Sequence, residues 1–292
     1  MLDLTSSGYA SPARMPEIAL EPRPGDSVGP YRITRTIGRG RMGVVFEGVA
    51  DGGDPVAIKV VTTELSQDEV FVRRFQREVA AAQKISHPHV VPVLGAGEEG
   101  GLPYLVQALI AGGSLHDRLV KEGSLNLATT VKLLRGPAEG IDALHASGLV
   151  HRDIKPGNIL LDGETAYVTD FGLAKDSQAS NLTRPGQALG SLDYMAPEQI
   201  RGEEVSAATD IYALGCMIHE CLTGTPPFGG RPSMRVLFAH LQEEPPDLSE
   251  QKRGDITPAV AKAINKALEK EAEDRPASAA GYISSIARAA GL

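Results

Sequence analysis

The chain has 292 residues, 42% of them hydrophobic and 23% charged, with no tryptophan and a formal net charge of −8. That length supports two sub-domains around a sizeable core. The acidic balance argues against nucleic acid as a partner, and no run of about 18 apolar residues offers a membrane-spanning helix. Cys216 and Cys221 lie in the apolar stretch IYALGCMIHECL. They read as core packing on one helix rather than as zinc ligands. Such sparse cysteine use fits a reducing compartment. The start, MLDLTSSGYASPARMPE, has no apolar segment behind a basic one and is no secretory signal. A cytoplasmic location is expected, either for the chain itself or as the cytosolic domain of a longer membrane-anchored protein.

Residues 1–30 are rich in Pro, Ser and Gly and are expected to form a flexible arm, with order starting near Tyr31. From there to about Ala111 the segments YRITRTIG, VVFEGVA, PVAIKVV, VVPVLGAG and LPYLVQAL are short, β-branched or aromatic, and bounded by Gly or Pro. They predict strands. DEVFVRRFQREVAAAQKI breaks the pattern, because Val70, Phe71, Phe75, Val79 and Ala82 recur at helical spacing. After Ser114 helical patterns dominate: LATTVKLLRGPAEGIDALHASG, ATDIYALGCMIHECLTG, SMRVLFAHLQ and PAVAKAINKALEKEA. Short strand-like pieces, VHRDIKPGNILLDGETAYVTDFG, separate the first two. The expected fold is α+β and bilobal: a small β-rich lobe with one helix (about 31–107), a hinge (108–113) and a larger, mainly helical lobe (about 114–292). A cleft between two lobes is a common small-molecule site.

The first chemical motif is Gly38-Arg39-Gly40-Arg41-Met42-Gly43. Glycines at this spacing let backbone amides approach phosphates. The same spacing opens dinucleotide-binding folds, where a helix follows. Here the strand-like VVFEGVA follows, which tilts against that reading, although an ordinary Gly-rich hairpin stays open at this step. Lys59 in VAIK comes sixteen residues after Gly43, and Glu78 nineteen residues later on the inserted helix. A lone strand lysine is usually just solvated; with the glycines upstream, Lys59 and Glu78 become a candidate pair that holds nucleotide phosphates.

Three further motifs complete the set: His151-Arg152-Asp153-Ile154-Lys155-Pro156-Gly157-Asn158, Asp170-Phe171-Gly172 and Ala196-Pro197-Glu198. With all six in order, the chain from about Tyr31 to Leu292 resembles the eukaryotic-type (Hanks-type) serine/threonine protein kinase domain, of the bacterial kind. The resemblance implies transfer of the ATP γ-phosphoryl group to Ser or Thr of proteins, including the chain itself. Asp153 would orient the attacking hydroxyl and take its proton, and Lys155 would neutralise the γ-phosphate. Asn158 and Asp170 would hold Mg²⁺, with Mn²⁺ as an alternative. Lysine two residues after the catalytic aspartate favours Ser/Thr over Tyr acceptors. Ile37, Gly38, Gly40, Gly43, Val45, Ala57, Lys59 and Leu160 would contact ATP. Backbone near Ala108 and Ile110 would meet the adenine edge, and Gln107 falls at the family's gatekeeper position.

The resemblance also assigns supporting roles. Asp210 would brace the catalytic loop, and Arg275 would pair with Glu198. His151 would pack behind the site, and His87 and His89 would form a turn rather than a metal pair. Ser191 takes the place of the family's threonine near Asp153 and Lys155. Arg152 and Lys175 would receive a phosphate placed on Thr183, Ser177 or Ser180, with Thr183 the leading site. Homodimers through the small lobe occur in the family. A scaffold that has lost catalysis is the alternative class; such proteins usually lack one of Lys59, Glu78, Asp153, Asn158 or Asp170, and all five are present here.

Overall fold

The computed structural model describes residues 21–40, 42–50, 52–170, 189–250 and 253–292, with the backbone alone at 189–191 and 250. The small lobe is an antiparallel sheet of β1 (Ser27–Val28), β2 (Tyr31–Gly40), β3 (Gly43–Ala50), β4 (Pro55–Val61), β5 (Val93–Glu99) and β6 (Leu102–Ala108). Their spatial order is β1-β2-β3-β4-β6-β5. Side chains alternate faces along a strand, and β4 shows what that does. Val56, Ile58 and Val60 join Phe46, Tyr104 and Val106 in one buried cluster, while Ala57 and Lys59 are left on the opposite face.

Two helices, α1 (Thr63–Ser66) and α2 (Glu69–Ala82), connect β4 to β5. Asp68 caps α2, its carboxylate accepting the Val70 and Phe71 N–H groups at 2.9 and 3.1 Å. The buried stripe of α2 is Phe75, Glu78, Val79 and Ala82, and Phe75 and Val79 pack with Val61 and Leu105. Val70, expected on that stripe, is 58% exposed. It stands five residues before Phe75, off the three-and-four spacing that keeps side chains on one face.

Regular structure is already present before the expected Tyr31, and residues 1–20 of the expected arm lie outside the described residues. Ser27 and Val28 pair with Arg32 and Tyr31, and the Gly25 N–H donates to the Ile33 carbonyl at 2.9 Å. Val28 is fully buried in the sheet's core cluster. The segment covers an edge of β2 whose polar groups would otherwise stand open.

The large lobe contains α3 (Leu115–Glu122), α4 (Leu127–Ala146), the hairpin β7 (Ile159–Asp162) and β8 (Thr165–Val168), α5 (Pro197–Arg201), α6 (Ala207–Thr223), α7 (Ser233–Gln242), α8 (Pro258–Asn265) and α9 (Ala279–Ala290). Every residue of α6 from Thr209 to Leu222 is buried; a helix buried on all sides is the lobe's central element. Each buried Ile, Leu or Met there contributes about 1.5–3 kcal/mol, against about 0.3–0.5 for an exposed helical ion pair such as Arg73–Glu69. Packing therefore dominates.

The sequence pattern predicts α8 running on to about Ala272, but it stops at Asn265. The Tyr282 hydroxyl donates to the Ile264 carbonyl at 2.7 Å, occupying the acceptor a continuing helix would offer to Leu268. Gly136 on α4 allows one close approach: a Cβ there would stand 2.3 Å from the His89 ring. His89 Nδ1 bonds the Ala166 carbonyl at 2.9 Å, so the His87–His89 turn is a packing element between α4 and β8.

Candidate active site

The cleft between the lobes encloses about 380 Å³. Its roof is the face of the sheet opposite the Val56, Ile58 and Val60 cluster, beside the part that α2 covers. Register places Val45 opposite Lys59 and Ala57 opposite Gln107, so all four side chains share that face. Ile37 and Gly38 of β2 close the front, Ala108 and Ile110 form the connection between lobes, and Leu160 of β7 with Asp170 forms the floor. Gly40 and Gly43, expected at the phosphates, do not line this cavity. Gly43 has another reason to be glycine: a Cβ there would lie 1.9 Å from the Val60 carbonyl oxygen. Its task is the close β3–β4 approach.

Below the cleft, a short polar loop carries the candidate chemistry. Lys155 Nζ donates to Asp153 Oδ2 at 2.7 Å. Asn158 Nδ2 donates to the Asp153 carbonyl at 2.7 Å and to Oδ2 at 3.1 Å. The loop is braced from beneath by Asp210, in the first turn of α6 and fully buried. Its Oδ2 accepts the His151 N–H at 2.8 Å and His145 Nε2 at 2.7 Å, and its Oδ1 accepts the Arg152 N–H at 2.7 Å. Among the described residues, Arg152 is one of two non-glycine residues at positive φ, at 66°; the other is Asp170, at 59°. Left-handed backbone at such residues persists only where the surroundings hold it, and the Asp210 carboxylate supplies that hold at Arg152.

His151 is 1% exposed. Its Nδ1 accepts the Asp153 N–H at 3.3 Å, and its Nε2 bonds the Thr169 carbonyl at 2.9 Å. An acceptor at Nδ1 requires the proton on Nε2, so the ring is a strut between the loop and the segment carrying Asp170. That segment is set by Val168, whose N–H donates to the His89 carbonyl at 2.8 Å and whose carbonyl accepts the Val91 N–H at 2.9 Å.

Lys59 Nζ meets Asp170 Oδ1 at 2.9 Å across the cleft. The expected Lys59–Glu78 pair is not made among the described residues. Glu78 lies on the buried stripe of α2, and the Lys59 ammonium, 12% exposed, takes its counter-charge from the carboxylate on the other lobe. The Glu198–Arg275 pair is bidentate, at 2.8 and 2.9 Å, with the guanidinium wholly buried. Burial alone would raise the Glu198 carboxyl; Arg275 outweighs it and holds the group below the ordinary glutamate range. Phe171, Gly172, Lys175, Ser177, Ser180 and Thr183 lie outside the described residues, as does the side chain of Ser191.

The donors suit a hard divalent cation. Asn158's amide nitrogen is committed to Asp153, which leaves its carbonyl oxygen as the coordinating end. Asp170 pairs with Lys59 through Oδ1 and keeps Oδ2. Among the described residues no group of three or more His, Cys, Asp or Glu could hold an ion. So small a protein ligand set fits an ion that retains waters and shares substrate phosphates. Sequence reasoning missed Val91, Asp117 and Thr169, which also line the cavity. Thr169 was findable as the neighbour of Asp170; Asp117 carried no signal, because a first-turn aspartate is ordinary helix chemistry.

A small sheet lobe over a helical lobe, with this ordered set of side chains at their junction, defines a protein kinase domain. The family profile described as "Protein kinase domain" matches residues 31–285, and the chain belongs to that family. It is 39% identical over 256 residues to serine/threonine-protein kinase PknD of Mycobacterium tuberculosis, covering 87% of this chain and 39% of that protein. It is 39% identical over 272 residues to PknE of the same species, covering 92% and 48%. The crystal structure of the M. tuberculosis PknI kinase domain superposes with a TM-score of 0.74 at 26% identity, covering 91% of this chain and 99% of that one. Rad53 1–466 in complex with AMP-PNP gives 0.73 at 26% identity, covering 88% and 65%. The chain thus spans less than half the length of these two curated relatives. No helix among the described residues is long and apolar enough to cross a membrane.

Proposed function

We propose that the chain is an ATP-dependent protein serine/threonine kinase that requires Mg²⁺. The observation that carries this is the Asp153–Lys155–Asn158 hydrogen-bond cluster, tied through His151 and Thr169 to the Lys59–Asp170 pair in the cleft. Phosphoryl transfer needs positioning and charge neutralisation more than covalent chemistry, and these residues supply both. The apolar walls Val45, Ala57 and Leu160 take the adenine, and Lys59 presents its ammonium to the phosphates. Asp153 accepts the proton of a Ser or Thr hydroxyl, with Lys155 beside it to offset charge gathering on the transferred group. Asn158 and Asp170 would hold the magnesium ion, which when bound neutralises the phosphates.

The same reading extends to protein acceptors outside the chain and to autophosphorylation at Ser177, Ser180 or Thr183, with Thr183 foremost. Arg152 and Lys175 would receive the new phosphate. The names of the relatives, serine/threonine-protein kinases, support the acceptor class. Incubation with Mg²⁺, γ-labelled ATP and a generic basic protein tests the proposal beside Asp153→Asn. Label on Ser or Thr with wild type only is the expected result. An unlabelled acceptor with ATP binding intact would return the chain to the scaffold class.

A further inference from the structure

The loop that carries Asp153 has a second brace besides Asp210. Gln199, on α5, is half-buried and lies outside the nucleotide cavity. Its Oε1 accepts the Ala196 N–H at 3.1 Å, and its Nε2 donates to the Arg152 carbonyl at 3.1 Å. A backbone N–H can only donate and a backbone carbonyl can only accept, so the two partners fix which way the amide faces. One of the two bonds is ordinary. A Gln or Glu three positions past an N-cap commonly accepts the cap residue's N–H, and Ala196 is the N-cap of α5. The bond to Arg152, 47 positions away, is not explained by capping.

The Arg152 carbonyl and the Asp153 N–H belong to one peptide group, which is planar. Gln199 holds that plane at its oxygen, and His151 Nδ1 accepts from its nitrogen at 3.3 Å. Asp210 Oδ1 holds the preceding plane through the Arg152 N–H at 2.7 Å. The two planes meet at Arg152, where φ is 66°. Backbone in that region relaxes when its surroundings let it go, and a turn of the second plane carries the Asp153 side chain with it. Gln199 itself stands on fixed ground. Its neighbour Glu198 is held by Arg275 at 2.8 and 2.9 Å and by the Thr209 hydroxyl at 2.7 Å.

We propose that Gln199 is a positioning residue for phosphoryl transfer: it fixes the Arg152–Asp153 peptide group and thereby the aim of the Asp153 carboxylate. The proposal rests on Asp153 being the proton acceptor of a kinase site. Gln199→Glu separates the two bonds. Ionised at about pH 8, the carboxylate still accepts the Ala196 N–H, and a negative charge in a first helical turn is favourable. It cannot donate to Arg152. A capping role alone therefore predicts unchanged stability and unchanged activity.

The test measures kcat and KM with the full chain, Mg²⁺, ATP and a generic basic acceptor, beside a thermal melt. Gln199→Glu should melt near wild type and keep its KM for ATP, while kcat falls about 10–100-fold. In an Asp153→Asn background the same substitution should cost less than about 3-fold, because groups that act through one residue are not additive. Gln199→Met, which loses both bonds, is the second variant if the first melts early. A kcat within about 2-fold of wild type in either folded variant, or an equal loss with and without Asp153, overturns the proposal. Hydrogen exchange keeps the two readings apart. If wild type binds ATP but labels no acceptor, the kinase reading falls and the Asp153 N–H decides the rest. Exchange there about 10-fold faster in Gln199→Glu, with the Ile200 N–H unchanged, keeps Gln199 as the residue that sets the loop. Unchanged exchange at Asp153 overturns that role as well.

Discussion

Lys59 on β4 and Asp170 just past β8 meet at 2.9 Å, Nζ to Oδ1, and so join the two lobes by one ion pair across the cleft. The lysine is 12% exposed and the aspartate 30%, so the pair is only partly desolvated and loses less on separation than a fully buried one. Lys59→Met should cut phosphoryl transfer about 10²–10³-fold, the cost of removing one charge stabiliser from a site of this type. Its melting temperature should stay close to wild type. Label transfer and a thermal melt on one preparation check both, and transfer at the wild-type rate would make the pair purely structural.

Asp153→Asn keeps the side chain's shape and removes its proton acceptor. Turnover should fall about 10²–10⁴-fold. KM for ATP should change little, because Asp153 does not line the nucleotide cavity. A large rise in KM with kcat preserved would move Asp153 from chemistry to binding.

Asp210→Ala removes the acceptor for the buried His151 N–H, the partly buried Arg152 N–H and His145. Each orphaned donor costs about 1–3 kcal/mol, and Arg152 at φ 66° loses its restraint. Both stability and kcat should drop, the latter about 10²-fold, since small displacements of catalytic groups are that expensive. Urea titration and single-turnover kinetics separate the two effects.

Arg275→Ala strands the buried Glu198 carboxylate and should cost about 3–5 kcal/mol, read as a lower urea midpoint at constant slope. The pH dependence follows from the depressed Glu198 carboxyl, whose ordinary value is 4.5. A group that titrates lower when folded contributes its full stability above its unfolded value and loses it as pH falls through the folded one. Wild type should therefore weaken on acidification below about 4.5 by more than the double variant Glu198→Gln, Arg275→Ala. Equal acid slopes would show that the pair is not the source.

Asp142 on α4 accepts the Ala279 and Ala280 N–H groups at 2.8 and 3.0 Å, capping the first turn of α9 from another helix. Asp142→Ala should lower stability by about 1 kcal/mol, the usual worth of a cap, and leave transfer unchanged. Hydrogen exchange at Ala279 and Ala280 reports the loss directly.

Much of this was written in the chain. The alternation of PVAIKVV put Lys59 on the face opposite Val56, Ile58 and Val60. The apolar run of ATDIYALGCMIHECL made α6 a buried helix, and the spacing of Gly38, Lys59, Asp153, Asn158 and Asp170 carried the family resemblance. These features are local: period, turn chemistry and motif order depend on residues close in sequence. The end of α8 was misread because it was decided by a neighbour from elsewhere, the Tyr282 hydroxyl; Val70 was misread locally, since it stands off the spacing that joins Phe75, Val79 and Ala82 on one face of α2.

The sequence by itself determined which residues are available for chemistry and on which kind of element each rides. Only the tertiary structure decided their partners. Lys59 pairs with Asp170, 111 positions away in the chain, rather than with Glu78, because the closing of two lobes sets which carboxylate lies nearest a half-desolvated ammonium. Gly43 is explained by the Val60 carbonyl pressed against it. Local pattern fixes the direction in which a side chain points; the long-range packing of one lobe on the other fixes what it finds there.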